Sequence, residues 1–527
     1  MKFNPEPFIK LACAVVALLA TAGIAQAEVR LANVFSDNMV LQREAKVPVW
    51  GWAAPKEKVV VEFAGQKQNA VADKSGKWLV TFSKMSASAE PRTLVAASQQ
   101  DGSHCQITNV LVGEVWLAGG QSNMGVPLNA AWYAKDEKAH ADHPQFRYLT
   151  IAVNGTDAVQ RDLPVDKKTS QPARWVICET NTAGNFSGVC YWFGVELQKE
   201  LGVPVGIVRS SQGGTPVEAW TSESALVANP PGKKYLAEWK EKRAEPAKDR
   251  ANFESKVRDA AAAAKARGKP APWVSPYQEP ATSSHRPANL YNAMIAPLAP
   301  FTFRGVIWYQ GENNANPFER GGDYATLFPA MIRDWRSLWK NDLPFFFVQL
   351  PNYRDYGTNK LNWPQLRESQ LAALKLPKTG MAVAIDAGTP TEIHPPDKKP
   401  IGHRLALQAL AKVYGQKISA HGPRFQRIEL DGDTVRLMFT DAKNGLVLKD
   451  CIGKKAFAMA GEDKQFFPAQ AKLEGNTVVL WSDAVKKPVA VRYCFINAPD
   501  AVLFGKNGLP VAPFRTDNWT LINLEDE

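Results

Sequence analysis

The chain has 527 residues, of which 45% are hydrophobic, 10% aromatic and 22% charged. That is ordinary soluble globular usage, and it excludes a disordered chain, a collagen-like repeat and a multi-span membrane protein. Sixty-three Lys and Arg stand against 52 Asp and Glu, a net +11, but the excess is spread thinly, so nucleic acid is not an expected partner.

The first element is a leader. Lys2 and Lys10 flank its start, Leu11 to Ala25 is largely apolar, and Ala25-Gln26-Ala27 is a small-x-small site, which predicts a secretory signal peptide over residues 1–27 cleaved after Ala27. A retained anchor would need about 18 or more apolar residues. The mature chain is therefore expected to be secreted or periplasmic, with no stable membrane association. Export would place Cys105, Cys178, Cys190, Cys451 and Cys494 in an oxidising compartment. Cys178 with Cys190 and Cys451 with Cys494 are the candidate bridges, with free buried thiols as the alternative.

From residue 28 to 109, short apolar alternations such as Val47 to Trp52, Val59 to Phe63 and Trp78 to Phe82 predict an all-β domain. From 110 to 415 the texture changes to near-continuous apolar strands, each followed by a Gly-rich or polar loop and a helical stretch. This predicts an α/β domain with a parallel sheet covered on both faces. Residues from about 230 to 285 read as an exposed helical insertion with an irregular loop after it. Strands return over 416–527 as a C-terminal β region. The expected architecture is thus α/β with β-sandwich-like regions at both ends.

The chemistry falls at strand ends. Val115-Trp116-Leu117-Ala118 runs into Gly119-Gly120-Gln121-Ser122-Asn123-Met124, placing Ser122 at the carboxyl edge of the sheet, where open α/β folds bind ligands. It can serve there as a nucleophile with nearby backbone N–H groups facing a developing anion, or simply cap a helix. Later strands end alike: Val205 to Val208 leads to Gln212-Gly213-Gly214-Thr215-Pro216-Val217-Glu218-Ala219-Trp220, and Val306 to Tyr309 leads to Gln310-Gly311-Glu312-Asn313-Asn314. Ala382 to Ile385 leads to Asp386-Ala387-Gly388 and on to Thr391-Glu392-Ile393-His394-Pro395. Nucleophile, glycine amides, side-chain amides and an imidazole at strand ends are what an acyl-transfer site requires. His140 and His143 form a lone His-x-x-His, read as surface loop rather than metal site.

These four segments resemble the motif blocks of the SGNH hydrolases, and most closely those of the sialate O-acetylesterase family and its acetyl-xylan esterase relatives. Val34 to Arg43, Leu290 to Leu298 and Gly508 to Arg515 are similar to that family as well. The resemblance implies an SGNH-hydrolase, flavodoxin-like sheet and a serine carboxylic-ester hydrolase. It implies Ser122 as nucleophile, His394 as general base, and an oxyanion hole from the Ser122 N–H, a Gly213 or Gly214 N–H and the Asn314 side chain. Gln121, Trp220 and Glu312 are the expected substrate contacts, and Trp116, Trp308 and Trp481 are assigned to core. The family usually carries Asp two residues before the histidine, where this chain has Glu392. Glu392 is the expected acid of a triad, Asp386 is the second candidate, and the alternative pairs Glu392 with a surface lysine such as Lys398. The implied substrate is an acetylated carbohydrate, either a sialic acid or a plant polysaccharide such as xylan or xyloglucan. The different-class rival is a non-catalytic carbohydrate-binding protein. The chemistry needs no metal or organic cofactor, and the sequence defines no oligomeric state.

Overall fold

The computed structural model describes residues 28–522 except 269, 272, 273, 275, 282 and 355–360. The expected leader, residues 1–27, lies outside them. The chain forms two compact units. The smaller comprises the residues up to Ala32, Pro48–Phe82 and Arg92–Ile107, and the larger comprises Asn33–Val47, Ser83–Pro91 and everything from Thr108 onward.

In the smaller unit Lys58–Phe63 and Gln66–Val71 form an antiparallel hairpin, and the first of these strands also pairs with residues 95–98. Alternation turns Val59, Val61 and Phe63 inward, and Trp50, Trp78 and Phe82 are likewise buried.

The larger unit is built on a seven-stranded path. Its strands are β1 (His104–Gly120, within this unit from Thr108), β2 (His143–Thr150), β3 (Val176–Cys178), β4 (Val205–Ser211), β5 (Gly305–Tyr309), β6 (Phe345–Gln349) and β7 (Thr379–Val383), in the order β3-β2-β4-β1-β5-β6-β7. Edge strand β3 is antiparallel to β2, and every other pairing along the path is parallel. Strands β5, β6 and β7 are buried at every position, which is why they read as unbroken apolar runs: helices cover both faces. Helices α1 (Gly188–Leu201), α2 (Pro230–Ala244), α3 (Pro246–Ala266), α4 (Phe318–Trp339) and α5 (Lys399–Lys412) belong to this unit. Trp116 meets Phe193 of α1 edge-on at 5.2 Å, and Trp308 meets Trp335 of α4 edge-on at 5.6 Å. Helix α3 buries no residue, as its Ala, Lys and Glu content predicts.

After β1 the chain builds β2 and β3, returns to insert β4 beside β1, then crosses to β5 on the other side of β1. The carboxyl end of β1 is therefore the switch point, where a crevice forms between loops that leave in opposite directions.

The C-terminal strands form two four-stranded antiparallel sheets and one two-stranded ribbon. Arg367 ties this region to the sheet loops. Its buried guanidinium donates to the carbonyls of Leu350, Pro351, Ile496 and Asn497 at 2.7–3.0 Å, and burial pushes its pKa down to about 9. Trp481, assigned to core, is only half-buried here.

The expected cysteine bridges are corrected: Cys178, Cys190, Cys451 and Cys494 are all free thiols. The sulfur of Cys178 lies 3.8 Å from the Ala141 carbonyl, whereas that of Cys190 packs 3.7 Å from Met124 Sδ on the turn that follows β1. Each thiol thus has its own neighbour. Burial raises the Cys178 and Cys190 pKa values to about 12 and about 11, which keeps them as inert hydrophobes.

One backbone position has no tolerance. Gly120 ends β1 at φ +137°, and a Cβ there would fall on the Tyr309 carbonyl of β5. Gly120→Ala should cost about 2 kcal/mol or more from combined strain and clash, read as a fall in the thermal unfolding midpoint. An unchanged midpoint would mean that β1 and β5 can separate freely.

Candidate active site

Gln121 occupies the N-cap position and Ser122 the first residue of the short helix Ser122–Gly125. The serine is therefore not a helix cap. Ser122 is half-buried, and its hydroxyl lies 2.8 Å from His394 Nε2, although the two are 272 positions apart. A serine hydroxyl hydrogen-bonded to an imidazole can be deprotonated as it attacks a carbonyl. Lost hydration on the crowded side of the ring, and then the Lys398 ammonium, hold the His394 pKa below its ordinary value, with Glu392 opposing.

Gly213 and Gly214 are exposed beside this pair, with Gly213 packed against Ser122. Gly214 sits at φ +68°, a conformation suited to glycine. Its carbonyl accepts from Asn313 Nδ2 at 2.7 Å. Among the described residues the N–H groups of Ser122, Gly213 and Gly214 have no internal acceptor, so they are free to face an anion.

Several expected assignments are corrected. Asn314 does not face the crevice: it is fully buried, its Oδ1 accepts from Val217 N–H at 2.9 Å and Gln310 Nε2 at 2.7 Å, and its Nδ2 donates to Glu218. The amide at the rim is that of half-buried Asn313. Trp220 cannot stack on a substrate because it is fully buried, donating to Thr215 Oγ1 and meeting Trp308 edge-on at 6.1 Å. Gln121 points into the protein, where its Oε1 accepts from Gln310 Nε2 and from the N–H groups of Gly311 and Asn313. Glu312 is buried behind the Ser122 turn, accepting from Asn123 Nδ2 at 2.5 Å, and burial raises its pKa.

The acid is also rearranged. Asp386 is held by Arg404 through two hydrogen bonds of 2.6 and 2.8 Å and is not at the imidazole. Glu392 is exposed and has no hydrogen bond to His394, although its charge raises the imidazole pKa. Lys398, weighed as a surface partner for Glu392, is fully buried, and its Nζ donates to Asn123 Oδ1 at 2.5 Å. In the sequence Asn123 is marked only by its position next to Ser122, and the fold reveals what it joins.

Comparison with known proteins places the chain among esterases. A family described as carbohydrate esterase, sialic acid-specific acetylesterase, matches residues 277–411. The sialate O-acetylesterase of Rattus norvegicus is 31% identical over 92% of this chain and 94% of its own, and that of Mus musculus is 30% identical over 97% and 98%. The crystal structure of a carbohydrate acetylesterase from Xanthomonas citri, 36% identical, superposes with a TM-score of 0.78 over 93% of this chain and 100% of that one. The chain belongs to the sialate O-acetylesterase family of esterases.

Proposed function

We propose that this protein is a carbohydrate O-acetylesterase that removes acetyl groups from sialic acid through a serine acyl-enzyme, on a sheet of the SGNH-hydrolase type. The observation that carries the mechanism is the 2.8 Å contact between Ser122 Oγ and His394 Nε2 at the switch point of the sheet. The Ser122 proton passes to His394 as Oγ bonds to the acetyl carbon. The carbonyl oxygen becomes an oxyanion, stabilised by the N–H groups of Ser122 and of Gly213 or Gly214. His394 then gives its proton to the departing sugar oxygen. In the second half, His394 takes a proton from water as the water oxygen bonds to the acyl carbon, then returns that proton to Ser122 Oγ as the acyl C–Oγ bond breaks and acetic acid leaves, ionising to acetate.

The sialate preference follows from the named activity of the curated relatives. Acetate release from an O-acetylated sialic acid and from acetylated xylan, measured side by side, tests it, and faster release from xylan would reverse the substrate assignment. Ser122→Ala and His394→Ala should each lose activity by about 10³ or more, and the double variant should lose little beyond either, because the two act as a unit. Near-parental turnover by Ser122→Ala would end the Ser122 mechanism and move the nucleophile to another group.

Because Glu392 acts only through its field, Glu392→Gln should lower kcat by less than about tenfold, or 1.4 kcal/mol of barrier. A loss of thousands would restore it as a hydrogen-bonded member of a triad.

His394 must be neutral to take the serine proton, and partial loss of hydration together with the Lys398 charge lowers its pKa. The acid limb of kcat/KM on an aryl acetate should therefore have its midpoint below the ordinary histidine value of about 6.5. A midpoint well above 7 would contradict that environment.

A further inference from the structure

Behind the reacting pair lies a buried polar cluster that the ester chemistry above leaves without a task. Asn123 Oδ1 accepts from Lys398 Nζ at 2.5 Å, while Asn123 Nδ2 donates to the Ile393 carbonyl at 2.9 Å and to Glu312 Oε1 at 2.5 Å. Asn123 follows Ser122 in the chain and Ile393 precedes His394. One side-chain amide therefore links the turn bearing the hydroxyl to the turn bearing the imidazole. An ammonium has no acceptor, so Lys398 admits only the Asn123 rotamer whose oxygen faces it and whose nitrogen faces Ile393. The lysine is itself held: its Cβ and Cγ lie against Gly188 at the start of α1, and its Nζ lies 5.6 Å from the centre of the Tyr309 ring.

We propose that Lys398 is a positioning residue for ester hydrolysis, acting through Asn123 to clamp the His394 turn onto the Ser122 turn. The inference rests on the assignment of Ser122 and His394 as the reacting pair. The clamp does geometrically what a hydrogen-bonded carboxylate does elsewhere, since Asp386 is engaged by Arg404 and Glu392 makes no bond to the ring. Isolating a lysine in this way is costly, and burial pushes its pKa down to about 7, with Glu312 and Asp397 opposing. Glu312 supplies the counter-charge, and its Oε2 has no hydrogen-bond partner among the described residues. Near the His394 midpoint, below this value, the lysine carries its charge. The charged groups bearing on the two are then Glu312 and Asp397 at Lys398, and Lys398 and Glu392 at His394.

The test is Lys398→Met and Asn123→Asp, with Ser122→Ala run in parallel, by kcat and KM on an aryl acetate from about pH 5 to 9. Asn123→Asp keeps an acceptor for Lys398 but cannot donate to the Ile393 carbonyl. Both variants should lower kcat by about tenfold or more while KM changes by less than about threefold, because the groups touch no substrate. In Lys398→Met the acid limb should also move to higher pH, since the cation that lowers the His394 pKa is gone. A purely structural role would leave that limb in place. Parental kcat in Asn123→Asp, or in Lys398→Met an unmoved acid limb with kcat within about twofold, overturns the clamp while an inactive Ser122→Ala preserves the reacting pair. If Lys398→Met does not fold, Asn123→Asp alone decides. Activity in Ser122→Ala would instead remove the reacting pair and the clamp together.

Discussion

The site depends on how closely the glycine end of β1 approaches β5. The Trp308 ring lies 2.8 Å from where a Gly119 Cβ would stand, and the Tyr309 carbonyl fills the corresponding space at Gly120. With no side chain on either residue, Gln121 N–H reaches the Tyr309 carbonyl at 3.0 Å, and the Gln121 amide oxygen draws in the loop from Gln310 to Asn313. A methyl group at either glycine would separate the Ser122 turn from that loop before any residue of the proposed site was touched.

Around this contact the fold uses polar groups where the rest of the interior uses aromatic ones. Sheet and helices are joined by rings, as in the Trp308, Trp335 and Phe345 cluster, which tolerate small sliding because dispersion is non-directional. The sheet-edge loops are joined by directional bonds instead. Asn314 ties the β4 and β5 loops, Asn123 ties the Ser122 and His394 turns, and Arg367 ties the β6 loop to the C-terminal sheets. Irregular backbone leaves many unpaired N–H and C=O groups, and buried amides and a guanidinium satisfy them while setting distances that apolar packing would leave loose.

What could be read in advance follows the same division. The strands at Val115, Val205, Val306, Phe345 and Ala382 were legible because burial on both faces writes continuous apolar runs, and Ser122 and His394 because motif and strand-end position agree. The side-chain roles were not. Asn313 and Asn314 are adjacent amides of identical chemistry, and only the local turn decides which looks outward. Trp220 follows a glycine loop, as a ligand-stacking residue would, but the chain folds back and buries it. Lys398 reads as a surface cation because isolated lysines almost always are; its acceptor, Asn123, lies 275 residues away. The cysteine pairs failed for a related reason, since nearness in sequence across a strand and a helix start does not bring two sulfurs together.

The separation of Ser122 and His394 along the chain has a consequence for how activity is acquired. The two residues meet across 272 positions, with the Gly213 and Asn313 loops supplied from the sequence between them. Contacts of such long range form only after large loops have closed. No amino-terminal part of the polypeptide emerging during synthesis carries even a weak form of the site until the segment around residue 394 has been made and has docked. In this chain the Ser122–His394 contact is therefore gained all at once, when the α/β layer closes around it.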